Sequence, residues 1–167
     1  MRGYVLVGGA SSRFGRDKAD ELVDGLPMAE RVARAMEAAG LDVRFVGKRA
    51  RWRPTVIEHG ERHPLRGVLA ALLDAASSGE DWAVVAPCDL PHVPADAFAR
   101  LMAHGDAAVL GAERRHPLSG IFPVGWADRA ARVLDTAGSV RSFAEPAATV
   151  VVPEAWLVNV NRPEQLR

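Results

Sequence analysis

The chain has 167 residues, 49% hydrophobic and 25% charged, with 21 acidic residues against 21 basic ones and a single cysteine. A chain of that size builds one hydrophobic core, so a single domain over residues 1–167 is expected. Balanced charge excludes a whole-protein field that would gather nucleic acid or anionic membrane, and the lone Cys88 excludes an internal disulfide and agrees with a cytoplasmic protein.

The chain opens directly on a strand, with no charged-then-apolar leader, and no apolar run nears the ~20 residues that cross a bilayer. Residues 4–7 read as a buried first strand. Met28, Val32, Ala35, Met36 and Ala39 recur at helical spacing, with Pro27 at a first-turn position and Gly40 as a stop. Residues 43–46 and 55–57 form short second and third strands. Leu65, Val68, Leu69, Leu72, Leu73 and Ala76 give the clearest helical stripe, closed by Gly79. Residues 82–86 are apolar throughout, as when both faces of a parallel strand are covered. Pro94 opens a helix bearing Phe98, Leu101 and Met102. Residues 107–110, 120–124 and 149–152 read as strands and 126–134 as a helix. This succession predicts an α/β fold: three layers, doubly wound, around a mostly parallel sheet. The later half, with closer-spaced strands, is expected to depart from strict alternation.

Ligands of open α/β sheets bind beyond the carboxyl ends of the strands. Two segments fall there. The first is Leu6-Val7-Gly8-Gly9-Ala10-Ser11-Ser12-Arg13-Phe14-Gly15-Arg16-Asp17-Lys18. Its glycines let backbone amides approach an anion, and Arg13, Arg16 and Lys18 supply cations for phosphate oxygens. It is neither a P-loop, since Gly15 is followed by Arg16, nor a dinucleotide fingerprint, since position 10 is Ala. The second is Pro87-Cys88-Asp89-Leu90-Pro91, where a carboxylate fixed between prolines suits Mg²⁺, which binds one or two carboxylates plus substrate phosphates. Both should open into one crevice. Cys88 reads as packing, because a neighbouring carboxylate opposes thiolate formation. Asp17 either orients the first loop or cancels a cation. Arg44, Lys48, Arg49, Arg51 and Arg53 read as a solvated basic face, and His63, His92 and His104 lack metal-ligand spacing.

The first segment resembles the LxGGxSxRMGxDK signature of the nucleotidyltransferase superfamily, and within it the molybdenum cofactor guanylyltransferases. Phe14 stands where that family has Met, and Val7 where it has Ala. Further pieces resemble the family in order. Pro64-Leu65-Arg66-Gly67 is similar to its P-L-x-G turn, and residues 87–91 to its PCDxP segment. His116-Pro117-Leu118-Ser119-Gly120 is similar to its HPxxG segment. Val158-Asn159-Val160-Asn161-Arg162-Pro163-Glu164 is similar to its terminal NVNTPEEL, with Arg162 in place of Thr.

The resemblance implies a Rossmann-like nucleotidyltransferase fold and transfer of GMP from GTP to the phosphate of molybdopterin or the molybdenum cofactor. Pyrophosphate leaves and a guanine dinucleotide cofactor forms. It implies that Arg13, Lys18 and Asp89 are catalytic and that Asp89 holds Mg²⁺. Leu6, Val7, Gly8, Gly9, Ser11, Ser12, Arg13, Lys18, Gly47, His59, Gly67 and Asp89 would bind the nucleotide. Arg115, His116, Ser119, Asn159 and Asn161 would bind the acceptor. His59 takes the place of an Asp that relatives set near guanine or ribose, with Glu58 as the alternative. GTP and the molybdopterin acceptor are the expected partners, with transient contacts to cofactor-biosynthesis proteins or molybdoenzymes and none to nucleic acid or membrane. The alternatives are a cytidylyltransferase for the same cofactor, another small-molecule phosphate nucleotidyltransferase, and a non-catalytic nucleotide-binding protein.

Overall fold

The computed structural model describes residues 1–8, 17–161 and 165. Apolar strands β1 (Arg2–Leu6), β4 (Asp42–Gly47), β5 (Thr55–Ile57) and β6 (Trp82–Pro87) pair in parallel in the order β5-β4-β1-β6. The sheet then continues β8-β7-β9. β8 (Arg115–Pro123) runs antiparallel to both β6 and β7 (Ala108–Gly111), and β9 (Ala148–Val151) is parallel to β7. Four of the six pairings are thus parallel, and the expected mostly parallel α/β architecture is the observed one.

Helices cover both faces. α1 (Met28–Ala38) and α3 (Ala95–His104) lie on one side, over a core that includes Val5, Val32, Phe45, Val84, Ala86, Phe98 and Leu101. On the other side α2 (Pro64–Ser77), α4 (Ala127–Asp135) and α5 (Val140–Ala144) cover Tyr4, Val46, Leu72, Val85, Phe122 and Phe143. Strand residues alternate between the two cores: Tyr4 faces one and Val5 the other, Val85 one and Val84 the other. Because both faces are dry, the strands carry no polar stripe, hence their continuous apolar runs. Among the described residues no helix is long and apolar enough to cross a membrane.

The strand expected over residues 120–124 is nine residues long and begins at Arg115. Its ladder with β7 jumps from Val109↔Gly120 to Leu110↔His116, so residues 117–119 bulge out of register. A hairpin, β2 (Leu22–Val23) with β3 (Leu26–Pro27), occupies a stretch that hydrophobic periodicity leaves blank. Its two-residue turn is Asp24-Gly25, both with positive φ, as a tight hairpin requires.

Register positions the site. Leu6 of β1 stands level with Val46 of β4 and with Pro87 of β6, and Gly47 with Ile57 of β5. All four parallel strands therefore end along one edge, and the residues that follow them share a crevice.

Candidate active site

A cavity of about 480 Å³ opens at that edge. Leu6, Val7 and Gly8 reach it from the end of β1, and Asp17, Lys18 and Ala19 from the short 3-10 turn Lys18–Asp20. Pro87, Cys88 and Asp89 come from the end of β6, and Glu58 follows β5. Arg62, His63, Pro64 and Gly67 come from the start of α2, Leu118 from the β8 bulge, and Asn161 from the terminal segment. Of the expected nucleotide-site residues, Leu6, Val7, Gly8, Lys18, Gly67 and Asp89 are brought together here. Gly9, Ser11, Ser12 and Arg13 lie outside the described residues.

Lys18 and Asp89 meet at the polar end. Lys18 Nζ donates to Asp89 Oδ2 at 3.0 Å and to Asn161 Oδ1 at 2.6 Å. Asp89 is further tied down through its backbone carbonyl, which accepts from Val160 N at 2.9 Å. Its second carboxylate oxygen, Oδ1, is buried with no hydrogen-bond partner among the described residues. A buried carboxylate oxygen left unsatisfied costs roughly 1–3 kcal/mol, so the arrangement calls for a further cation or donor. Such an oxygen suits a hard divalent ion, which asks the protein for few ligands when phosphates supply the rest. Among the described residues there is no cluster of three or more His, Cys, Asp or Glu that could hold a metal.

Asp17 cancels cations, one of the two roles expected of it, and also caps the turn that follows. Its side chain caps the 3-10 turn by accepting from Ala19 N at 3.1 Å, and it takes Arg49 at 3.3 Å and Arg51 closer still. Arg51 also binds Asp20, and its side chain is 4% exposed. Lys48 and Arg49 are exposed, as expected of a solvated basic face, whereas Arg51 and Arg53 are not. Arg53 grips Glu30 with two nitrogens, at 2.7 and 2.8 Å, and reaches Glu37 at 2.6 Å. These cations find carboxylates on the Lys18 turn and on α1. That pairing is long-range, so a composition-based reading of residues 44–53 misses it. The same contacts hold Glu30 far below its usual range, at about 2, chiefly through the Arg53 hydrogen bonds against some desolvation.

Cys88 is buried, and burial next to Asp89 pushes its thiol up to about 12, which makes it a packing residue. His63 caps α2: its Nδ1 accepts from Leu65 N at 3.1 Å while Nε2 meets Gly138 O at 3.1 Å. With Nδ1 accepting, Nε2 is the ring nitrogen left to donate to the Gly138 carbonyl. Glu58, Arg62 and Leu118 also line the cavity, and only the first was considered from sequence. The signal for Glu58 is the family resemblance at the end of the third strand, where it is the alternative to His59; Leu118 has none, because the bulge that presents it is a product of tertiary pairing.

Several expected residues are placed elsewhere. His59 borders a separate groove with Val56, Ile57 and Leu73, while its neighbour Glu58 enters the cavity, as alternation along an extended segment requires. Gly47 does not line the cavity; a Cβ there would stand 2.9 Å from Val7, so its bareness serves packing of the strand ends. Arg115 points to the far face, where it donates to Ala144 O at 3.0 Å and Ala147 O at 2.5 Å. His116 is 8% exposed and Ser119 fully buried, each with a side-chain atom lacking a partner, and neither lines the cavity. Desolvation and the nearby Arg114 lower the His116 pKa. Of the amides, Asn161 reaches the cavity and Asn159 does not.

Residues 3–150 match the MobA-like NTP transferase domain. The chain belongs to that family. Relatives span nearly all of this MobA-like chain. A molybdenum cofactor guanylyltransferase from Cereibacter sphaeroides is 37% identical over 98% of this chain and 92% of its own length. A probable molybdenum cofactor guanylyltransferase from Opitutus terrae is 34% identical with the same coverage. In three dimensions the fold is that of molybdopterin-guanine dinucleotide biosynthesis protein A from Archaeoglobus fulgidus, with a TM-score of 0.76 and 21% identity over 99% of this chain and 95% of that one.

Proposed function

We propose that this MobA-like transferase moves GMP from GTP to the phosphate of molybdopterin or its molybdenum-loaded form and releases pyrophosphate. The observation that carries the reading is the Lys18–Asp89 contact at 3.0 Å, set in a cavity at the common edge of four parallel strands. The guanylyltransferase relatives, nearly full-length in both directions, supply the chemistry.

The acceptor phosphate is largely dianionic near neutral pH, with a second pKa of roughly 6. It attacks the α-phosphorus of the donor, the bond to the bridging oxygen breaks, and that electron pair leaves on pyrophosphate. No general base is required. The cavity matches this, because the histidine in it, His63, is spent on capping α2. The chain's task is placement and charge neutralisation. Lys18 faces charge building on the transferred and leaving phosphates, with Arg13 expected beside it. Asn161 holds the ammonium in position between encounters with substrate. Asp89 is the residue that would hold Mg²⁺, its unpaired Oδ1 being the oxygen left for it. When bound, the ion neutralises phosphate oxygens and eases departure of pyrophosphate. A buried, unreactive thiol as the sole cysteine suits a cytoplasmic setting, and delivery of the product implies passing contact with molybdoenzymes or earlier proteins of cofactor assembly.

The deciding experiment is pyrophosphate release with each of the four nucleoside triphosphates, with and without molybdopterin. Release with GTP that depends on molybdopterin is the expected result. Release that follows CTP instead replaces the guanylyl reading by the cytidylyl one, and no release with any pair removes the enzymatic reading.

A further inference from the structure

Besides Asp89, and Asp17 which caps the Lys18 turn, the cavity holds a third carboxylate that transfer chemistry does not use. Glu58 follows β5, the outer strand, whereas Asp89 follows β6. Two strands lie between, so at ~4.8 Å per strand their stems stand about 14 Å apart, on the order of the reach of an extended nucleotide. The Glu58 carboxylate lies across two bare backbones. A Cβ on Gly8 would stand 2.8 Å from its Oε1, and a Cβ on Gly67 3.0 Å from its Oε2. Neither glycine has positive φ, so this room for the carboxylate is what their lack of a side chain provides. The side chain is 9% exposed, and the cavity is where it meets open space. Burial raises its pKa above the ordinary carboxylate value, opposed by Lys48, whose Nζ stands 3.9 Å away, and by Arg66.

An ionised carboxylate only accepts hydrogen bonds. Guanine alone among the four bases offers two adjacent donors on one edge, N1–H and N2–H, spaced to meet two carboxylate oxygens. Cytosine and adenine set one donor beside an acceptor, and uracil sets its donor between two acceptors, so each would turn a lone pair toward the charge. We propose that Glu58 selects the base, accepting from guanine N1–H and N2–H at the end of the cavity remote from Asp89. This rests on the guanylyl reading and names the residue behind its choice of nucleotide.

The test is calorimetric binding of GTP, ITP, CTP and ATP, with Mg²⁺, to the wild-type chain, Glu58→Gln and Glu58→Ala, each checked by thermal melt. ITP keeps N1–H but lacks the 2-amino group. Wild type should bind GTP best and ITP about 10- to 100-fold more weakly, the usual range for losing a hydrogen bond to a charged group. Glu58→Gln replaces two acceptors by an acceptor and a donor, the complement of cytosine and adenine. It should weaken GTP by a similar factor and raise CTP or ATP to at least the level of GTP. Glu58→Ala should lose the GTP–ITP difference with no gain for CTP. A wild type that prefers GTP over CTP and ATP yet binds ITP equally well overturns this inference alone, and needs no variant to fold. A uniform loss across all four nucleotides in both variants also overturns it, placing the carboxylate on the ribose hydroxyls that every nucleotide shares. A wild type that prefers CTP or ATP overturns the guanylyl reading itself.

Discussion

The two halves of the sheet solve different problems. In β5-β4-β1-β6 every pairing is parallel, and the strand ends leave Gly8, Lys18, Glu58 and Asp89 around an open cavity. In β8-β7-β9 the strand next to β6, β8, is reversed, and its polar residues are turned inward or spent on the backbone. Ser119 is fully buried, His116 nearly so, and Arg115 ties down the end of α5. Under the proposed function, similar residue types carry chemistry on one side and hold structure on the other. What separates them is position: Gly8, Glu58 and Asp89 lie beyond the carboxyl ends of parallel strands, whereas Arg115, His116 and Ser119 lie within β8. Substitutions in the first half should cost rate, and those in the second should cost stability.

The sharpest break of that contrast would come from Lys18. Lys18→Ala is expected to slow pyrophosphate release by about 10²–10³-fold, the usual cost of removing one preorganised group facing transition-state charge, with a melting temperature near that of wild type. Steady-state kinetics beside a thermal melt reads both quantities. A large fall in melting temperature with unchanged rate would move Lys18 to the structural side.

Gly120→Ala is the converse. A Cβ at Gly120 would sit 2.5 Å from Ala108 O, 2.9 Å from Phe122 and 3.0 Å from Val109, with backbone on one side and core on the other. Overpacking of this kind costs roughly 1–3 kcal/mol. Urea titration should register that loss while turnover per folded molecule holds; a collapse of turnover at full stability would carry chemistry into the antiparallel half.

How much of this was written in the chain can be judged from particular residues. The apolar runs of β1, β4 and β6 and the stripes of α1 and α2 follow from burial on both faces, and local pattern reveals them. Asp89 and Lys18 were legible because each directly follows a parallel strand or the loop leaving one. His59 and Glu58 show the limit. A one-residue choice of face depends on how β5 registers with β4, and that is a tertiary matter. Arg115, His116 and Ser119 were drawn toward the site by motif resemblance, yet the bulge between Val109 and Leu110 and the reversal of β8 decide where they point. The Asp24-Gly25 hairpin was short enough to fall below any periodicity, although its turn dipeptide was a local signal.

A smaller effect tests the ion network between α1 and Arg53. Glu30 titrates at about 2 in the folded chain, well below the unfolded carboxylate value near 4.3. A depressed folded pKa contributes stability that is complete above the unfolded value and lost as pH falls toward 2. The contribution is on the order of 2 kcal/mol. Urea midpoints between pH 6 and 3 should fall less steeply in Glu30→Gln than in wild type, because the variant has already lost the acid-sensitive part. Parallel slopes would remove Glu30 from the account. Smaller still is Arg115→Ala, expected to cost about 1 kcal/mol through two lost backbone contacts and to leave the KM for molybdopterin unchanged. A several-fold rise in that KM would restore Arg115 to the acceptor.

The central claim, that transfer occurs where Asp89 meets Lys18, is tested most directly by pyrophosphate release from GTP and molybdopterin in Asp89→Asn as Mg²⁺ is raised and then replaced by Mn²⁺. The amide keeps the shape and removes the charge that would retain the ion. The predicted result is a rate at least about 10²-fold lower, a melt within a few degrees of wild type, surviving GTP affinity, and partial recovery with Mn²⁺. Near-normal turnover at every metal concentration, with a melt far below wild type, would contradict it and make Asp89 a structural acceptor for Lys18.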